Sequence, residues 1–193
     1  MRTVIEAPQG TEEWLQARCG VPTASNFATA MGTGKTADSY LYKLAAEIIT
    51  QEVVPMYQND AMQRGNDLEP DAAAEYEFTQ DVVVEETSLW LWEGLGASPD
   101  RLVGDDGLLE IKCPLAHTHV GYLDKGTLPS IYKAQVQGQM WITERQWCDF
   151  MSYHPAMPAM LIRVERDEKY IKEMAEKIFA FQVKLNKLVE KIQ

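Results

Sequence analysis

The 193 residues carry 29 acidic against 18 basic side chains, a net charge of −11, with 46% hydrophobic and 24% charged content. These proportions fit a globular chain with one sizeable core. They exclude a disordered chain and a helical membrane protein, because no apolar run approaches the ~20 residues that a bilayer requires. Cys19, Cys113 and Cys148 are too few and too odd in number for a disulfide framework or a four-cysteine iron–sulfur cluster. With an N-terminus, Met1 to Pro8, that lacks an apolar secretion signal, they point to a reducing cytoplasm. The acidic balance argues against broad adhesion to nucleic acid, so any phosphate chemistry must rest on locally placed positive charge.

In chain order, Thr11 to Arg18 reads as a short helix with Thr11 as N-cap and Glu12 and Glu13 in its first turn. Thr23 to Met31 reads as a second helix capped by Thr23 or Ser25, and residues 32–38 as a glycine-rich loop. Ser39 to about Gln51 is predicted helical, with Leu41, Leu44, Ala45 and Ile48 on one face. A further helix is predicted from about Asn59 to Phe78, interrupted or kinked at Pro70. Strands follow at Val82–Glu86, Leu89–Glu93 and around residues 100–112. Residues 129–143 are predicted helical, Cys148–Tyr153 and Met160–Glu165 strands, and Asp167–Ile192 a long helix. That last helix carries an apolar stripe of Met174, Ile178, Phe181, Leu185 and Leu188, so it is a packing helix. No repeat or linker appears, and helices alternating with strands imply a single α/β domain over residues 1–193, with a catalytic core at about 60–165 and a packing helix at 167–192.

Residues 98–114 are the most informative stretch. Asp105-Asp106-Gly107 is turn chemistry between two β-prone runs. With that loop, Gly104 faces Leu108, Leu102 faces Glu110 and Asp100 faces Lys112. Period-two alternation puts Asp100, Glu110 and Lys112 on one face of the ribbon and turns Val103, Leu109 and Ile111 towards a core. Facing strands lie about 5 Å apart and diagonal neighbours about 7–8 Å. Two carboxylates at that spacing can hold a divalent ion with an ammonium beside it, which outlines metal-assisted phosphodiester hydrolysis. A surface hairpin with three ordinary charges is the plainer alternative, but Glu110 and Lys112 stand in an apolar run where charge is costly unless paired.

Two other motifs carry no chemistry. Gly32-Thr33-Gly34-Lys35-Thr36 lacks the glycine that a phosphate-binding loop needs five residues before Gly34, where Thr29 stands, and no strand precedes it. Cys113, His117 and His119 match no structural zinc spacing and read as solvated or packed.

Ser98-Pro99-Asp100 with Leu109-Glu110-Ile111-Lys112-Cys113-Pro114 resembles the PD-(D/E)XK nuclease superfamily, and the chain more narrowly resembles the phage lambda exonuclease and YqaJ-type viral recombinase family. Matching stretches are Gly10 to Trp14, Arg18 to Ser25, Arg64 to Ala72, Tyr132 to Thr143 and Arg166 to Tyr170, covering roughly residues 8–170. The resemblance implies a mixed β-sheet flanked by helices and an exonuclease that degrades linear double-stranded DNA from 5′ ends. It would release 5′-mononucleotides and leave 3′ single-stranded tails for strand annealing. It implies Asp100, Glu110, Lys112, Glu69 and Gln135 as catalytic residues, with Asp100, Glu110, Glu69 and the Ile111 carbonyl around Mg²⁺, two ions or Mn²⁺ in its place. It implies Arg18, Ser25, Ser98 and Gln137 as contacts to a terminal 5′-phosphate or DNA. Taken singly, Arg18 is a surface arginine, Ser25 a helix cap, Glu69 a solvated helix residue, and at least one glutamine part of a polar helix face. A homotrimeric ring and a single-strand annealing partner are likewise implied, with no membrane. An endonuclease of the same superfamily and a non-catalytic DNA-end-binding accessory protein stand as alternatives.

Overall fold

The structure is a computed structural model that describes residues 1–53 and 60–193, except for the side chain of residue 61. Five strands form the main sheet in the order β2 (Val84–Glu86), β5 (Arg101–Val103), β6 (Gly107–Lys112), β7 (Trp147–Ser152) and β8 (Met160–Glu165). All neighbours are antiparallel except β6 and β7, whose parallel pairing needs the long helical crossover between them. A second, three-stranded antiparallel sheet has the order β1 (Thr3–Ile5), β3 (Leu89–Trp92) and β4 (Leu95–Ala97).

The central strand β6 is buried on both faces from Gly107 to Ile111. One face meets α4 (Asp60–Gln80), where Ala72, Ala73 and Tyr76 pack on Val103, Leu109, Ile111 and Met151. The other face meets α6 (Lys133–Thr143), where Val136 and Met140 pack on Leu108, Cys148 and Phe150. The long helix α7 (Glu168–Ile192) buries Ile171, Met174, Ile178, Phe181, Leu185 and Val189, while Leu188 is half-buried. It packs with Leu44 and Ala45 of α3 (Lys35–Thr50), Phe27 and Ala30 of α2 (Phe27–Ala30), and Leu95 and Ala97. Asp149 is buried on the α4 side and accepts from the Tyr76 hydroxyl at 2.7 Å and from Arg163 Nε and Nη2 at 2.8 Å each. That ion pair ties α4, β7 and β8 together, and its full complement of donors is what makes a buried carboxylate tolerable.

Several elements differ from expectation. The β5–β6 hairpin pairs Arg101 with Leu109, Leu102 with Leu108 and Val103 with Gly107, so its loop is Gly104-Asp105-Asp106 and not Asp105–Gly107. Gly104 takes the left-handed conformation (φ +53°) that the turn requires. The register is displaced by two residues, and an even displacement leaves every side chain on its expected face. The expected helix from Thr23 is a 3₁₀ turn, Ala24–Asn26, followed by the single turn of α2, and neither Thr23 nor Asn26 caps by its side chain. Helix α3 begins at Lys35, earlier than Ser39, and the expected 129–143 helix splits into a 3₁₀ turn, Ser130–Tyr132, and α6. Helix α4 runs unbroken through Pro70, because the loss of one backbone bond is outweighed by burial of Ala72, Ala73 and Tyr76 beyond it. Its expected start at Asn59 lies outside the described residues. Strands β1 and β4 and the helix α5 (Ala116–Lys125) were not expected. Thr11 caps α1 (Glu12–Arg18) as expected, accepting from the Trp14 N–H.

Gly107 starts the central strand where a β-carbon would fall on the Trp147 indole, well inside van der Waals contact. Gly107→Ala is therefore expected to lower stability by about 1–3 kcal/mol. A thermal melt unchanged from the wild type would refute this reading of the hairpin.

Candidate active site

Asp100, Glu110 and Lys112 meet at the far end of β6, beyond the last paired residue of β5. The Asp100 Oδ2 accepts the Ile111 backbone N–H at 2.6 Å. Continuing the hairpin register by two residues sets Pro99 opposite Ile111. Pro99 has no N–H to give, so the Ile111 carbonyl, which points to the same side as its own N–H, meets no ladder donor from that strand. The proline thus ends the ladder, frees a carbonyl, and presents the following carboxylate to the strand edge.

Glu110 is 1% exposed and is held by three donors. Lys112 Nζ and Gln135 Nε2 both reach its Oε1, the latter at 2.5 Å, and Gln139 Nε2 reaches its Oε2 at 2.7 Å. Burial and the nearby Glu110 push the Asp100 carboxyl well above the usual carboxylate range, against the opposing effect of Lys112. Burial alone would lower the Lys112 ammonium, but Glu110 and Asp100 outweigh it and hold the group above its ordinary value. Lys112 also stands 5.6 Å from the centre of the Tyr132 ring. These surroundings favour its charged form.

Glu69 of α4 lies beside this group but is turned to Arg101, whose Nη1 donates to it at 2.9 Å and to the Asp100 carbonyl at 2.6 Å. Among the described residues no three acidic, histidine or cysteine side chains converge to metal-holding distance. The donor set that does fit a hard divalent cation is Asp100, Glu110 and the Ile111 carbonyl: two carboxylates facing each other with one charge-compensating ammonium, and an unpaired carbonyl between them. Arg64 Nη1 donates to the carbonyls of Cys113 and Pro114 at 3.1 Å each and fastens α4 to the end of β6.

Arg18 and Ser25 belong to a second group. Arg18 Nη2 donates to Thr23 Oγ1 at 3.3 Å, Thr23 Oγ1 lies 3.2 Å from Ser25 Oγ, and Asn26 Nδ2 donates to both hydroxyls. The guanidinium stacks over Trp14 with its carbon 5.1 Å from the ring centre. Burial lowers its pKa from the usual value, Tyr40 and Glu47 opposing. Thr23 bridges to Gly96, and the Gly96 N–H donates to the Pro22 carbonyl at 2.9 Å, so this group adjoins the strand that leads to Ser98. Ser98 follows β4, half-buried, with its carbonyl 3.5 Å from Gln139 Nε2.

Gln137 is a correction. It is buried on another side of α6, where its Nε2 donates to the Glu165 carbonyl and its Oε1 accepts the Asp167 N–H, both at 2.9 Å. It fastens the β8–α7 junction and has no free group for DNA. Residues two apart on a helix point to different sides, whereas residues four apart share one. Gln139, four after Gln135, is accordingly the residue that sequence reading missed, and the helical spacing is the signal that finds it. Arg101, the partner of Glu69, carried no such signal. His119 is fully buried, between Ser152 Oγ at 2.8 Å and the Pro158 carbonyl at 3.0 Å, a packed residue as expected.

A mixed α/β domain with its sheets flanked by helices is the architecture of nuclease-like exonucleases. The chain belongs to the YqaJ-like viral recombinase domain family, whose model matches residues 13–146. The structure is similar to that of the alkaline exonuclease LHK-Exo from Laribacter hongkongensis, with a TM-score of 0.89 and 39% identity over 94% of this chain and 96% of that one. LHK-Exo has also been solved in complex with dAMP. A phage-related exonuclease from Haemophilus somnus 129PT shares the fold at 18% identity, with a TM-score of 0.72 over 93% of this chain and 99% of that one. The uncharacterized protein R354 of Acanthamoeba polyphaga mimivirus is 30% identical over 172 residues, and the alignment spans 78% of this chain but only 30% of that protein.

The raised Asp100 has a stability consequence. Its folded pKa lies above its unfolded value, so its contribution is fully present below the unfolded pKa and is lost as pH rises through the folded one. Above the unfolded pKa, without metal, the side chain is a net cost. Asp100→Asn is expected to raise the melting temperature of the metal-free protein, at about 2–4 °C per kcal/mol relieved. A variant that melts lower than wild type in chelator at pH 8 would contradict the direction given for Asp100.

Proposed function

We propose that this protein is a Mg²⁺-dependent 5′-to-3′ exonuclease of the PD-(D/E)XK type that acts on linear double-stranded DNA, releases 5′-mononucleotides and leaves 3′ single-stranded tails for recombination by strand annealing. The observation that carries the reading is the convergence of Asp100, Glu110 and Lys112, two acids and a fixed cation, in a chain of this family. The 39%-identical neighbour with dAMP bound, a mononucleotide, supports the proposed product.

Asp100, Glu110 and the Ile111 carbonyl would hold Mg²⁺, or Mn²⁺ in its place, and Glu69 would serve a second ion only on leaving Arg101. When bound, such ions supply Lewis acidity and an acidified water. The chain's own residues do the rest. Lys112, kept charged by its two acidic neighbours, stabilises the charge that develops on the phosphate oxygens. Gln135 fixes the orientation of Glu110. Arg18, with its planar fork, and Ser25 and Ser98, with their hydroxyls, would seat the terminal 5′-phosphate. Lys112, Arg101, Arg64 and Arg18 supply positive charge at these two groups on a chain of net charge −11. A homotrimeric ring around the duplex would offset weak local attraction, and a single-strand annealing protein would take up the tail.

The test compares 5′-phosphorylated with 5′-hydroxyl linear duplex, and linear with covalently closed duplex, for wild type, Asp100→Ala and Arg18→Ala. Wild type is expected to release mononucleotides from linear DNA only with Mg²⁺, and Asp100→Ala to lose about 10²–10³-fold or more in rate. Arg18→Ala is expected to lose the preference for the phosphorylated end. Cutting of closed circles would favour an endonuclease, and binding of ends without nucleotide release an accessory protein.

A further inference from the structure

Gln139 is a polar residue in a place where packing alone calls for an apolar one. It is 1% exposed, on the inner face of α6, with Val136 and Met140 as fully buried neighbours on the same helix. Its Nε2 donates to Glu110 Oε2 at 2.7 Å and lies 3.5 Å from the Ser98 carbonyl. Both of these are acceptors, so the amide cannot be turned round. Its Oε1 is left buried without a partner, one of two such side-chain atoms among the described residues. A methionine would fill the same length with no unmatched oxygen, so packing does not account for the amide.

The donor end accounts for the residue. Gln135 and Lys112 both bear on Oε1 of Glu110, and among the described residues only Gln139 bears on Oε2. Rotation about the terminal bond moves both oxygens, so an anchor on each holds the carboxylate plane more stiffly than anchors on one alone. Gln139 also touches the backbone two residues before Asp100, the other acid. It therefore spans the two chain segments that carry the site's carboxylates.

We propose that Gln139 is a positioning residue for hydrolysis: it locks the plane of the Glu110 carboxylate and sets its separation from the Ser98–Asp100 segment, so that both acids face a divalent cation in one arrangement. This inference rests on the reading of Asp100 and Glu110 as the acids of a nuclease.

The experiment uses the full chain with Gln139→Met, Gln135→Met and the double variant. Mg²⁺-dependent nucleotide release is followed alongside thermal melts with chelator and with Mg²⁺ in the absence of DNA. The expected result for Gln139→Met is a lower melting temperature in chelator, since Glu110 loses a donor, and a smaller rise than wild type on adding Mg²⁺. Its kcat should fall by about 10–100-fold, the usual cost of losing a partner that orients a metal ligand. KM for duplex should stay within about two-fold, because the residue meets only the backbone carbonyl of Ser98 and not its hydroxyl. The double variant should lose less than the product of the single losses, since both amides act through one carboxylate. Wild-type kcat and a wild-type Mg²⁺ response in Gln139→Met, or single losses that simply multiply, would overturn the proposal. Should Gln139→Met not fold, Gln139→Leu likewise has no donor for Glu110, and a wild-type rate and Mg²⁺ response there would overturn it equally. If the wild-type protein itself releases no nucleotide, the nuclease reading fails; if it does and Gln139→Met matches it, only the role of Gln139 fails.

Discussion

Glu110 stands on the innermost strand of the sheet with its carboxylate cut off from water, and the surrounding structure is arranged to make that possible. An unpaired buried carboxylate is among the costliest groups a fold can contain. Here its two oxygens are met by an ammonium from its own strand and two amides from a helix on the same face. The positions of α6 over β6, of Lys112 two residues on, and of the crossover that makes β6 and β7 parallel all serve this one charge. Replacing both amides by apolar side chains would leave the ammonium as its only described donor, and one donor does not replace a hydration shell.

Glu47 and Asp149 are also buried carboxylates, and Asp149, on the opposite face of the sheet, makes the instructive comparison. Asp149 is matched by a bidentate arginine and a tyrosine hydroxyl, and its partners satisfy it within a closed network. Burial and the bond to Asp149 push Tyr76 upward, and the bond to Asp149 pushes Arg163 upward against the opposing effect of burial, which favours the donor form of each. Asp100 and Glu110 lack such closure: two acids share one ammonium, and Asp100 responds by resisting ionisation. Closed pairing marks the structural acid, and open, mutually repelling pairing marks the site.

How much of this was legible depends on periodicity. The face assignment of Asp100, Glu110 and Lys112 follows from alternation along a strand and survived a hairpin loop placed one residue too late, because the resulting register error was even. Long, strongly patterned elements such as α7 were equally plain. Strands β1 and β4 are three residues each, the second containing glycine, and are held by neighbours distant in sequence. Helix α5 starts at Leu115 without a side-chain cap and carries Gly121 in its middle, so local preference speaks against it. Among the glutamines, a pattern written as residues two apart concealed the fact that a helix groups residues four apart. Gln137 and Gln139 therefore exchanged places between expectation and structure. The Arg101–Glu69 pair is a tertiary contact across 32 positions, and no local pattern encodes it.

Gly138 lies between those two glutamines, and a β-carbon there would meet the Phe27 ring at 2.6 Å and the Ala24 side chain at 3.2 Å. The helix that steadies Glu110 thus rests directly on the 3₁₀ turn that holds Ser25, hydrogen against hydrophobe, with no side chain of its own in between. Packing this close does not compress, and it resists sliding. The turn and the helix form one mechanical unit, so a displacement of the Ser25 turn is delivered to the Glu110 end as motion of the whole piece. A bulkier residue at this point would act as a shim, shifting the distance between the two without altering either.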